Sequence, residues 1–106
     1  YIAKGPAGER DAVFVWGAGM TGRRLSKHLV REGLPLAAFV EVDQKKIGNT
    51  RRGKPIVSVE ELPGLWGQYQ NPILLTAVRA RSAAPLIKAA LDELGLVEGK
   101  DWWRAA

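Results

Sequence analysis

Gly17, Ala18, Gly19, Met20, Thr21 and Gly22 fit the pattern G-x-G-x-x-G, which suits a backbone that must come close to a phosphate. Each glycine has its own task in such a loop. Gly17 allows the tight turn out of a strand, Gly19 removes a side chain that would block a pyrophosphate, and Gly22 lets the following helix lie close to that strand. The amides around Ala18, Met20 and Thr21 then open a helix whose positive end attracts an anion. Without a ligand the same pattern is a tight β–α turn that merely needs glycine. Glu41 lies 19 residues after Gly22, where an acidic side chain takes the ribose hydroxyls of a dinucleotide. Its charge opposes a 2′-phosphate by about 3 kcal/mol at ~5 Å and an effective dielectric of 20. A free ribose, as in NAD, is therefore favoured over NADP, with Lys45 and Lys46 offsetting part of the effect. The alternative for Glu41 is a solvated carboxylate at a strand end. Asp43 reads as a turn former. Arg79 and Arg81 follow a later strand, on the other lip of the same crevice, and either can hold a phosphate with two parallel hydrogen bonds. Their alternative is a solvated or carboxylate-paired surface arginine.

Other chemistries find less support. The 106 residues contain no cysteine, which excludes a disulfide scaffold, a thiolate metal site and a cysteine nucleophile. The same composition suits a reducing cytoplasm, the expected location. His28, the one histidine, lies beside Leu25 and Leu29 and reads as a core-edge residue with no partner set for catalysis or metal binding. No catalytic residue and no metal ligand is expected. The net charge of +5 draws on Lys45, Lys46, Arg51, Arg52 and Lys54, but no aromatic residue interleaves that cluster to stack on bases. Nucleic acid is therefore not an expected partner. Apolar runs are strand-sized, well short of the roughly 20 residues that a bilayer requires, so no membrane partner is expected either.

The elements that position these residues follow from apolar spacing. Residues 1–11 read as a linker, and 12–106 as one domain. The lack of an initiator methionine suggests a piece of a longer product. Ala12–Trp16 is an unbroken apolar run, as in a strand buried on both faces. Thr21–Glu32 has helical spacing, with Leu25 and Leu29 inward and Gly33 as its stop. Leu36–Val42 is the second strand, 44–54 a basic loop, and Lys54–Val57 a short third strand. Ser58 and Glu61 match a capping box for a short helix through Leu62, which Pro63 and Gly64 should damage; 64–71 has no clear reading. Ile73–Val78 is the fourth strand. Ser82 is the expected N-cap of the last helix, with Pro85 in its first turn and Leu86, Ile87, Ala90, Leu91 and Leu94 as its apolar stripe. Asp101–Ala105 closes the sheet. Trp16, Trp102 and Trp103 should all be buried between sheet and helices; an exposed tryptophan would mark an interface. This alternation predicts a Rossmann-like three-layer α/β/α fold with a five-stranded parallel sheet in the order 3-2-1-4-5.

Four segments together carry a family resemblance: VFVWGAGMTG (13–22), AFVEVDQKKIG (38–48), GKPIVSVEEL (53–62) and GLVEGKDWW (95–103). In that order they resemble the C-terminal Rossmann-like domain of bacterial family 2 glycosyltransferases. They are also similar to small domains of sugar acetyltransferases and of nucleotide-sugar dehydratases or epimerases. The resemblance implies a non-catalytic domain that binds a nucleotide or nucleotide-sugar, beside an N-terminal catalytic domain, in cell-envelope sugar metabolism. It places ligand contacts at Gly17, Gly19, Gly22 and Glu41, the last where relatives often have Asp. Arg79 stands where relatives usually have a small residue. Two other readings stay open: the NAD-binding half of an oxidoreductase, and a ligand-free scaffold that forms a homodimer.

Overall fold

The computed structural model describes residues 10–105. Six strands form one mostly parallel sheet: β1 (Ala12–Trp16), β2 (Leu36–Val40), β3 (Thr50–Arg51), β4 (Lys54–Val57), β5 (Pro72–Thr76) and β6 (Trp102–Arg104). Their order across the sheet is β3-β4-β2-β1-β5-β6. The five parallel strands take the expected order. The sixth, β3, is an addition inside the expected basic loop and pairs antiparallel with β4. Of the expected linker, only Arg10 and Asp11 fall among the described residues. The Asp11 carboxylate accepts from the amides of Gln70 and Asn71 at 2.8 Å each.

Handedness fixes the layers. The chain leaves β1 toward β2 and later returns from β4 to β5, so right-handed crossovers must pass over opposite faces. Helix α1 (Met20–Arg31) covers one face; α2 (Leu62–Trp66) and α3 (Ala84–Glu93) cover the other. The central strand β1 is buried at every position, which accounts for its unbroken apolar run. Val13, Val15, Phe39 and Leu75 pack with Leu29 on the α1 face. Phe14, Trp16, Val40 and Leu74 pack with Leu62, Ile87 and Leu91 on the other.

Several local expectations need correction. Strand β2 stops at Val40, two residues early, because the Glu41 side chain turns back onto the amides of Val42 and Asp43. The capping box forms, with Glu61 N donating to Ser58 Oγ at 3.2 Å and Ser58 N donating to Glu61 Oε1 at 3.1 Å. It closes a turn ahead of α2, and the helix then runs through Pro63 and Gly64. Pro63 sits in the first turn, where a missing N–H costs nothing. Leu62 and Trp66 hold the helix to the core, with the Trp66 ring 5.5 Å from that of Phe14. Ser82 lies in a 3₁₀ turn (Arg81–Ala83), and Ala83 flanks α3 without a side-chain cap. His28 is exposed in the last turn of α1 and is not at the core edge. Trp16 and Trp102 are buried, but Trp103 is 37% exposed. Register pairs Trp103 with Leu75 and so turns it to the α1 face. Among the described residues that face carries one helix, α1, which packs chiefly on β1 and β2. No helix among the described residues is long and apolar enough to cross a membrane.

Candidate functional site

Strands β1 and β5 are neighbours whose chains continue to opposite sides of the sheet. The crevice at their C-terminal ends is where open α/β sheets seat ligands. Gly17 leaves β1 with φ +113°, a conformation that only glycine adopts without strain. A Cβ there would also sit 3.0 Å from the Ala77 carbonyl oxygen. A Cβ on Gly22 would be driven into the Gly17 carbonyl group, so α1 packs on the loop at a distance only glycine permits. Gly19 differs. Its φ is −81°, and a Cβ would meet one heavy atom within 4 Å beyond its chain neighbours, Lys46 Nζ at 3.8 Å. The space over Gly19 is therefore open backbone with an ammonium at its edge.

Gly19 is also the N-cap of α1, and no side chain caps the helix. The amides of Met20, Thr21 and Gly22 precede the first helical hydrogen bond, from Arg23 N to Gly19 O at 2.9 Å. The Met20 side chain does not fill the hollow: its sulfur lies 3.6 Å from the Arg24 guanidinium along the exposed helix surface. Thr21 is half-buried beside it. Ala18 is buried, and its amide donates to Glu41 Oε2 at 3.0 Å. The other Glu41 oxygen accepts from Val42 N at 3.0 Å and Asp43 N at 3.3 Å. Glu41 is only 9% exposed, so it is no solvated strand end. Asp43 is the expected turn former, its carboxylate taking Lys45 N at 3.0 Å. Arg79 and Arg81 are exposed beyond β5, and among the described residues neither side chain forms a hydrogen bond or ion pair.

Beside Glu41 a cavity of about 240 Å³ opens on the α3 side of the sheet. Trp16, Val59, Val78 and Ile87 line its depth, and Val42 and Leu86 stand at 63% and 73% exposure on its walls. Leu86 belonged to the expected core stripe of α3. Ile87 and Leu91 carry that burial, and Leu86 faces the opening. Sequence reasoning thus brought together the glycine loop and Glu41 but missed the apolar pocket and the place of Lys46. The one signal for the pocket was an apolar residue more than α3 needs for its core.

The fold and this crevice define a Rossmann-like α/β domain. Solved structures agree on the fold. The Rex-family repressor RSP superposes with a TM-score of 0.71 at 15% identity, over 92% of this chain and 46% of RSP. RSP with β-NADH gives 0.68 at 15%, over 90% and 45%. RSP with β-NAD⁺ and operator DNA also gives 0.68 at 15%, over 93% and 45%. UDP-D-quinovosamine 4-dehydrogenase from Vibrio fischeri gives 0.67 at 25%, over 82% of this chain and 74% of that one. The chain spans less than half of RSP. No protein-family profile and no curated protein matches the sequence. The expectation of a glycosyltransferase parent gains no support from these likenesses. Nor does the expectation that nucleic acid is not a partner, since RSP binds operator DNA.

Proposed function

We propose that this domain binds an adenine dinucleotide of the NAD type across the ends of β1, β2 and β5. Carrying the proposal is one juxtaposition: open backbone at Gly19 and an apolar cavity, with the Glu41 carboxylate between them. The pyrophosphate would rest on the first-turn amides of α1. A ribose hydroxyl would donate to Glu41, and the base would enter between Val42 and Leu86. At about 240 Å³ the cavity is below the roughly 300 Å³ where pockets for whole drug-sized ligands begin, which suits a single ring system. The binding of NADH and NAD⁺ by RSP, a protein of the same fold, supports this reading.

A nucleotide-sugar is the second reading. The 25% identity with UDP-D-quinovosamine 4-dehydrogenase, across most of both chains, favours it, as does the resemblance to domains of sugar-modifying enzymes. The same loop and carboxylate would then hold a nucleoside diphosphate. An accessory role in a glycosyltransferase-like parent rests on the resemblance alone.

Thermal denaturation with NAD⁺, NADH, NADP⁺, UDP and UDP-N-acetylglucosamine separates these. A ligand at 100 times its dissociation constant stabilises by about 2.7 kcal/mol. Stabilisation by NAD⁺ or NADH and not by the uridine nucleotides is the expected result. The reverse ranking selects the nucleotide-sugar, and no stabilisation by any of them refutes both.

A further inference from the structure

Lys46 is the side chain at the phosphate approach that the sequence pattern does not contain. Its ammonium stands 3.8 Å from where a Gly19 Cβ would be, at the positive end of α1. Among the described residues it forms no ion pair or side-chain hydrogen bond. A cation held at a helix N-terminus with no counter-ion is unfavourable, since dipole and charge have the same sign. An anion placed between them would satisfy both.

The position is built rather than incidental. Loop 41–49 is hydrogen-bonded throughout: Asp43 O accepts from Lys46 N at 3.0 Å and from Ile47 N at 3.3 Å. Asn49 Nδ2 donates to Lys45 O at 3.0 Å, and Gly48 N donates to Ile56 O at 3.0 Å. Glu41 anchors the loop's start to the glycine loop through Ala18 N. Beyond it, the Arg52 guanidinium bonds Ser26 Oγ at 2.8 Å and Arg23 O at 3.0 Å on α1. The loop that carries Lys46 is thus tied at both ends to the elements it faces.

We infer that Lys46 closes on the ligand's pyrophosphate over Gly19, so that the site selects nucleotides with a diphosphate over nucleosides and monophosphates. This rests on the nucleotide reading above. Its location separates it from a 2′-phosphate reader. Gly19 marks the pyrophosphate seat and Glu41 the ribose, and the ammonium stands over the former.

The test is calorimetry of the wild type, Lys46→Met, Lys46→Arg and Gly19→Val with NAD⁺, ADP, AMP and NADP⁺ at 50 and 300 mM salt. Lys46→Met should weaken NAD⁺ and ADP about tenfold or more, a fair return for one charge-assisted contact. AMP should weaken less, and the salt dependence for ADP should flatten. Lys46→Arg should stay within about threefold of wild type. The melting temperature of unliganded Lys46→Met should match or slightly exceed wild type, because an uncompensated charge leaves the positive end of α1, and that separates a ligand contact from a structural one. Wild-type affinity for ADP in Lys46→Met, with binding lost in Gly19→Val, would overturn the inference and leave the site reading standing. A loss confined to NADP⁺ would overturn it in favour of 2′-phosphate recognition. Failure of the wild type to bind any of the four, or UDP, would remove the site reading and this inference with it.

Discussion

Two glycines three positions apart make the sharpest prediction: Gly22 should hold the fold, and Gly19 should serve the proposed ligand. Gly22→Ala places a methyl group against the Gly17 carbonyl, with the carbonyl carbon only 2.8 Å away. Both partners are backbone, and Gly17 is itself pinned by its bond to Val40 O at 2.8 Å. Helix α1 must therefore move off β1, and Leu29, fully buried beneath it, moves too. Overpacking typically costs about 1–3 kcal/mol, and backbone against backbone belongs at the upper end. About 3 kcal/mol corresponds to a fall of about 12–24 °C in melting temperature for a domain of this size. Gly19→Ala meets only Lys46 Nζ at 3.8 Å, so its cost is that of a poorer N-cap, about 0.5–1 kcal/mol. The methyl group nonetheless stands where the proposed pyrophosphate would rest, and NAD⁺ affinity should fall at least tenfold. Scanning calorimetry and titration of both variants check the pair. A Gly22→Ala variant that melts within 3 °C of wild type would refute the packing argument. A Gly19→Ala variant with undiminished affinity would refute the phosphate seat.

Glu41→Ala leaves the buried Ala18 amide without its acceptor and should cost about 1–3 kcal/mol, besides weakening NAD⁺. An unchanged urea midpoint would show that the carboxylate does not hold the two loops together. Arg52 has φ +53° and bonds α1 through its guanidinium. Arg52→Ala loses the bonds and keeps the strain, whereas Arg52→Gly loses the bonds and relieves roughly 1 kcal/mol of it. Stability should therefore rank wild type, then Gly, then Ala; an Ala variant at or above the Gly variant contradicts the assignment.

The sheet and its flanking helices were legible because apolar period and glycine punctuation agree along 12–40 and 72–105. β1 and β5 show the unbroken runs of doubly buried strands, and Gly33 and Gly95 end their helices at positive φ. Strand β3 was not legible. It has two residues, neither apolar, and its turn places Arg52 and Gly53 at φ +53° and +72°. That is the geometry of a two-residue hairpin, but arginine is not among the residues that announce it. Helix α2 was hidden by Pro63 and Gly64, whose poor propensity is outweighed by the burial of Leu62 and the contact of Trp66 with Phe14. Of the site, the glycine loop and Glu41 could be read because their spacing is local to one β–α–β unit. Lys46 could not, since its place depends on how loop 41–49 folds back. Leu86 could not, since periodicity alone puts it in the same stripe as Ile87.

In the proposed site Glu41 would serve structure and ligand together. A carboxylate offers about four lone-pair directions. Oε1 spends two on Val42 N and Asp43 N, and Oε2 spends one on Ala18 N. One acceptor direction remains, on Oε2, beside the cavity that Glu41 helps line. A single ribose hydroxyl can therefore bond it without displacing a protein contact, while a bidentate grip on both hydroxyls would break one of the loop's anchors. Glutamate's extra methylene lets the carboxylate reach back to the amides of its own loop while still bridging to Ala18. The bridge ties the glycine loop to the loop that bears Lys46. On the proposed reading, occupancy by ribose and the placement of the cation over Gly19 would be coupled through one group, and perturbing either end should be felt at the other.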